Sequence, residues 1–326
     1  MRDFGLDILD EEKNTSLSSQ NNILTLNPKK EINQYNVCLK HFSGTDLSET
    51  KRLDFTVSVE FTGESENSYE WRINKSNFFF NQKEATLLVE EVSIFFVNTL
   101  YPLDIATNVS GEIIGIRNHS EIIERWSVIK EKLIQEYRGE LILKLIKKFE
   151  KLIKNPLKLE ISLSKEIFWS VFFTKRYQNY GETFKKSSLI NLPLEAYQPP
   201  LSYNGFLKLI PDNSAKNPLK LIFQGSTSIP SSSKWHLNMK TDKLTSGLDI
   251  EYILDKNSKI PVNIKVFCDV FNETKKEDII QMETLIIRDE SAKLTPKTKV
   301  IIEKEEVTNE NKSPKKKKKW FSFGTK

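Results

Sequence analysis

The chain has 326 residues, 38% apolar and 29% charged, with a formal charge of +5. That length allows one large domain or two ordinary ones, and its two cysteines, Cys38 and Cys268, lack any CxxC partner, which excludes a disulfide framework and argues against a thiolate metal centre. The acidic N-terminus with Asp10, Glu11 and Glu12 has no apolar core of a secretory signal, and no run approaches the roughly 18–20 apolar residues that span a bilayer, so a cytoplasmic protein is expected.

Residues 1–34 are rich in Asn, Ser, Asp, Glu and Lys and read as a flexible N-terminal segment. Its one apolar cluster, Ile23 to Leu26 ahead of Pro28, has the composition to pair with a sheet edge. From Leu53 the alternation Leu53, Phe55, Val57, Val59, Phe61 against Asp54, Thr56, Ser58, Glu60 predicts a half-buried strand. Tyr69, Trp71 and Ile73 repeat that period after a turn, which predicts a hairpin.

Leu88, Val92, Phe95, Phe96 and Leu100 have helical spacing and predict a helix within Lys83 to Leu100, closed by the pre-proline residue Tyr101. Leu103 to Asn108 and Glu112 to Asn118 predict a second hairpin around Gly111. Ser120 then caps a predicted helix running to Asn155, with Ile122, Trp126, Leu133, Leu141, Leu145 and Phe149 on its apolar face, Gly139 permitting a kink and Pro156 ending it. A further helix is expected from Ser164 to Tyr180, with Gly181 as its C-cap. After Pro199-Pro200 the pattern returns to strands at Gly205 to Ile210, Leu219 to Gln224, Leu248 to Leu254, Pro261 to Phe271 and Asp278 to Ile287.

Strands flanking a helical block, without βα alternation, define an α+β protein: a curved antiparallel sheet packed against two or three amphipathic helices, with flexible termini. The body should span residues 35–290, with room for two subdomains meeting near 190–200, and residues 291–326 form a charged linker and tail.

The sequence carries few signs of chemistry. The three histidines, His41, His119 and His236, form no HxxxH pair, and no GxSxG, GxxxxGK[ST] or GxGxxG motif occurs. No catalytic, cofactor-binding or metal-ligating residue stands out, and an enzyme is not expected. The twenty phenylalanines form an ordinary aromatic core or line an apolar cavity between sheet and helices.

The unusual segment is the end. Lys312 to Lys326 holds seven lysines and no acid, and without those seven charges the rest of the chain is at −2. Lys315, Lys316, Lys317, Lys318 and Lys319 lead directly into Trp320, Phe321 and Phe323, so charge can steer an encounter and rings can bury. Besides a merely solubilising end, the candidate partners are a protein assembly first, then an anionic membrane at its inner face; no basic patch in the body favours nucleic acid. The resulting expectation is a non-enzymatic structural or adaptor protein, with a carrier of a lipid or other apolar ligand as the alternative.

Overall fold

The computed structural model describes residues 22–44, 46–194, 198–210, 219–231, 233 and 243–291. The chain divides into two units, Met1–Leu294 and Thr295–Lys326, the second of which lies outside the described residues. Among the described residues eleven strands form one open antiparallel sheet: β1 (Ile32–Ser43), β2 (Ser48–Ser65), β3 (Ser68–Phe80), β4 (Leu103–Asn108), β5 (Ile113–Ile116), β6 (Lys185–Leu192), β7 (Leu201–Ile210), β8 (Leu219–Ser228), β9 (Leu244–Leu254), β10 (Pro261–Asn272) and β11 (Glu277–Arg288). Alternation explains them. In β2, Phe55, Val57, Val59 and Phe61 are buried, while Thr56, Ser58 and Glu60 on the opposite face are only half-buried.

The strand order is β5-β4-β3-β2-β1-β11-β10-β9-β8-β7-β6. One meander runs outward from β1 to β5, another inward from β6 to β11, and the two halves join where Val37 of β1 faces Ile286 of β11. The chain therefore leaves one edge at β5 and re-enters at the other edge with β6. Four helices make that crossing: α2 (His119–Glu136), α3 (Glu140–Ile153), α4 (Pro156–Leu163) and α5 (Ile167–Phe172), while α1 (Leu88–Leu100) lies between β3 and β4. Their buried residues, among them Val92, Trp126, Ile146, Leu159 and Phe168, share one core with the inward residues of the sheet.

The expected α+β class and the antiparallel sheet hold, but five described helices replace the two or three expected. The long helix from Ser120 is two: Gly139 adopts φ +127°, a conformation that side chains with a Cβ rarely tolerate, so the glycine breaks the helix instead of kinking it. Its N-cap is Asn118, not Ser120, and Asn118 spends its Oδ1 on the Asp104 amide at 2.9 Å. Pro156 both follows the end of α3 and opens α4 as its first residue, where a missing N–H costs nothing.

The helix expected over Ser164–Tyr180 is also shorter. It shrinks to α5, because the backbone beyond it finds partners elsewhere: the amides of Arg176 and Tyr177 both reach the Ser110 carbonyl, and Tyr180 donates to Asn22. Gly181 sits in a turn, not at a helix end. The Ile23–Leu26 cluster pairs with this same loop and not with a sheet edge, through Leu24 N–H to the Gln178 carbonyl at 3.0 Å. Leu24 and Leu26 are buried there. Both cysteines are free, since β11 separates the strands that carry them.

Candidate binding surfaces

The sequence Ile-Phe-Trp-Ser-Val-Phe of α5 buries every residue except Ser170. This short helix touches strands that are far apart in the sheet. Phe173, its C-cap, packs edge-on against Trp71 of β3, Phe172 packs against Tyr35 of β1 at 5.1 Å, and Tyr252 of β9 donates its hydroxyl to the Val171 carbonyl. α5 also packs against β6 at the sheet edge. β3 and β6 are eight strand positions apart, about 38 Å along a flat sheet, whereas a six-residue helix is only about 9 Å long. The sheet must therefore curl round α5, which sits where the hollow of the curve would otherwise be.

A buried cation anchors each end of this plug. At its start, Lys75 of β3 points inward from the sheet and its Nζ lies 2.6 Å from Glu166 Oε2. The ammonium also faces the rings of Phe55, Tyr101, Phe168 and Trp169, all with centroids 5.2–5.5 Å away. One carboxylate and four negative ring faces replace the water the lysine has lost.

At its end, Arg176 is 2% exposed and donates to the carbonyls of Val171 and Phe172. A cation there meets the negative pole and the open carbonyls of the helix terminus. The rings of Tyr177, Tyr252 and Phe172 flank the guanidinium. Its Nε has no hydrogen-bond partner, and the residue helps line a cavity of about 10 Å³ together with Leu26, Trp71, Phe173 and Ile260, among others. That is room for about one water molecule.

Burial holds both cysteine thiols out of the thiolate form. Tyr203 Oη lies 2.9 Å from Ser246 Oγ and 3.1 Å from Cys268 Sγ, but burial pushes the Cys268 thiol up to about 12, away from the reactive thiolate. Burial, with Asp54 adding to it, pushes Cys38 up to about 11. His119 Nε2 meets the Ile153 carbonyl at 2.6 Å, bridging α2 to the end of α3, and His236 lies outside the described residues. Among the described residues no group of three or more His, Cys, Asp or Glu is placed to hold a metal, and no helix is long and apolar enough to cross a membrane.

The outer side of α3 and α4 is different in kind. Ile142, Ile146, Phe149 and Ile153 turn α3 inward, so at 100° per residue Lys144, Lys147, Lys148 and Lys151 form a ridge on the far side. Leu141 and Leu143 flank that ridge at 53% and 50% exposure, which corrects the inward placement expected for Leu141. On α4 the outward residues are Leu157, 66% exposed, and Ile161, 57% exposed, one turn apart. Lys154 and Lys158 stand beside them, both exposed.

The tail residues singled out from the sequence, Lys315 to Lys319, Trp320, Phe321 and Phe323, lie outside the described residues. The α3–α4 face was not singled out. Helical spacing puts Leu141 on the core-facing side and gives Leu143 no place, whereas both are exposed beside the lysines of Glu140–Ile153.

No family model matches this chain, and no curated protein matches it. Nine chains of solved structures match. One is lipovitellin, from a structure described as showing lipid-protein interactions, at 7% identity and a TM-score of 0.40, with 80% of this chain covered. The match spans 25% of the lipovitellin chain.

Proposed function

We propose that the chain is a non-enzymatic adaptor, whose folded body presents a binding surface and whose Lys315–Lys319, Trp320, Phe321 and Phe323 dock it to a protein assembly or an anionic surface. One observation carries this reading: α5 and its rings occupy the inward side of the sheet, where a carrier would keep its ligand or an enzyme its cleft. Recognition then falls to the outside of the molecule. Affinity purification of the full chain and of a chain lacking Lys312–Lys326, with lipid extraction of both samples, tests it. Loss of partners or membrane lipid on deletion supports the reading, and identical recovery overturns it.

A second reading, a carrier of a lipid or other apolar ligand, has one observation in its favour. Most inward residues from Leu103 of β4 to Leu192 of β6 are apolar, Lys75 of β3 excepted, so displacement of α5 uncovers a long, largely apolar groove in an open sheet. Stoichiometric lipid in the extract of both samples supports this second reading against the first.

A further inference from the structure

We infer that the outward face of α3 and α4 is a docking surface for an anionic phospholipid bilayer. The inference deepens the adaptor reading by giving the folded body its own contact with a membrane, independent of the tail. Its first support is charge. Lys144, Lys147, Lys148, Lys151, Lys154 and Lys158 fall within the 21 residues Glu140–Glu160, whose only acids are Glu140, Glu150 and Glu160. Those acids are engaged locally: Glu140 with Lys144, Glu150 with Lys130 and Lys154, and Glu160 with the Ile116 amide. Among the described residues no carboxylate pairs with Lys147, Lys148, Lys151 or Lys158, so these four ammonium groups are available to an outside anion.

The second support is the pattern of apolar exposure. Leu141 and Leu143 bracket the lysine ridge, and Leu157 and Ile161 project from the adjoining helix, each half or more exposed. Bilayer interfaces are met by lysines that reach the headgroups and aliphatic side chains that enter the acyl boundary; here the aliphatics of α3 border the lysine ridge on both sides, and α4 adds two more. Nucleic acid would use the lysines but leave the four aliphatics in water. A protein partner would more typically be met by aromatic and arginine anchors, and the ridge between Glu140 and Ile161 has neither at its exposed positions.

The test is sedimentation of the full-length chain with vesicles of phosphatidylcholine mixed with phosphatidylglycerol, against phosphatidylcholine alone. Wild type should pellet with the acidic vesicles, and less so as salt rises. Lys147→Glu with Lys148→Glu and Lys151→Glu should lower partitioning about tenfold or more. Leu157→Gln with Ile161→Gln should give a smaller, severalfold loss, and matching unfolding midpoints confirm that these exposed substitutions leave the fold intact.

Reversal of Lys315 to Lys319 to glutamate separates the two levels of the account. If that variant still pellets while the α3 variant does not, the body carries the contact. If the α3 variant pellets like wild type and the tail variant does not, this inference is overturned and the tail reading stands. It is equally overturned if wild type stays in solution with acidic vesicles, or if wild type is a dimer that the Leu157 and Ile161 substitutions dissociate, which would place a second copy on this face.

Discussion

Lys75 Nζ and Glu166 Oε2, 91 residues apart in sequence and 2.6 Å apart in space, join the inward face of β3 to the residue that precedes α5. Their environments are unequal, with the lysine side chain 4% exposed and the glutamate 24%. Removing either partner therefore has different consequences. Glu166→Gln strands a buried ammonium and should cost about 2–3 kcal/mol, somewhat less than a typical broken buried pair because four ring faces still attract the charge. Lys75→Met leaves a carboxylate that water reaches and an apolar chain that packs, and should cost about 1 kcal/mol or less. Denaturant midpoints give the order directly, and a reversed order contradicts the picture of α5 as a plug held by this pair.

The paired glycines of β7 and β8 make a second prediction. Gly205 lies opposite Gly225, and a Cβ built on Gly205 would stand 2.1 Å from the Gln224 carbonyl oxygen and 2.6 Å from Gly225 Cα. These are backbone atoms of a neighbouring strand that cannot rotate away. Gly205→Ala should cost about 3 kcal/mol or more. At Gly63 in β2 nothing lies within 4 Å, and Gly63→Ala should stay within about 0.5 kcal/mol of wild type. Thermal melts of the two variants side by side check the contrast.

Glu150 braces α2 against α3 and makes a pH prediction. Its hydrogen bond from Lys130, at 3.0 Å, holds its carboxyl below the ordinary value of 4.5, with Lys154 adding to the effect and burial opposing it. A carboxyl lowered in the folded state stabilises the fold above its unfolded value, and loses that contribution as pH falls through the folded value. Glu150→Gln should therefore be less stable than wild type at pH 7 by up to about 1 kcal/mol. The gap should close below the ordinary carboxylate range. A pH-independent gap in urea midpoints contradicts the pairing.

Thiol labelling tests the burial of the two cysteines. With Cys268 pushed up to about 12 and Cys38 to about 11 by burial, neither is a thiolate at pH 8. Iodoacetamide should label the native chain slowly, at Cys38 before the fully buried Cys268, and label both rapidly once the chain is unfolded. Fast stoichiometric labelling of the native protein would mean an activated thiol and would contradict the burial of both cysteines.

Much of the sheet was legible because one face of it is buried. Phe55, Val57, Val59 and Phe61, or Ile264, Val266, Cys268 and Val270, repeat with the period of a strand and declare which side faces the core. β1 and β6 were not legible. Asn33, Asn36, Lys40 and His41 interrupt the pattern of β1, which nonetheless lies centrally between β2 and β11, and edge strand β6 buries only Ile190 and Leu192.

Helix lengths failed for two reasons. A glycine in a helical pattern reads as a tolerated cost, while the φ that breaks the helix is a property of the fold. From Phe168 to Tyr180 the aromatic residues are buried on every side of the chain, so their spacing carried no information about where α5 stops. The Lys75–Glu166 pair and its four rings come from separate elements and leave no local pattern. The α3–α4 face leaves one, but exposure, not sequence spacing, distinguishes Leu141 from Ile142.

Native mass spectrometry of the full chain, purified under conditions that preserve lipid adducts, tests the central claim that α5 fills the inward side of the sheet and recognition belongs to the outer surface. The expected mass is that of the bare chain, unchanged by incubation with lipid micelles followed by their removal. A stoichiometric lipid adduct that survives, and that Phe168→Ala or Phe172→Ala increases, would contradict it and identify a carrier whose plug yields to its cargo.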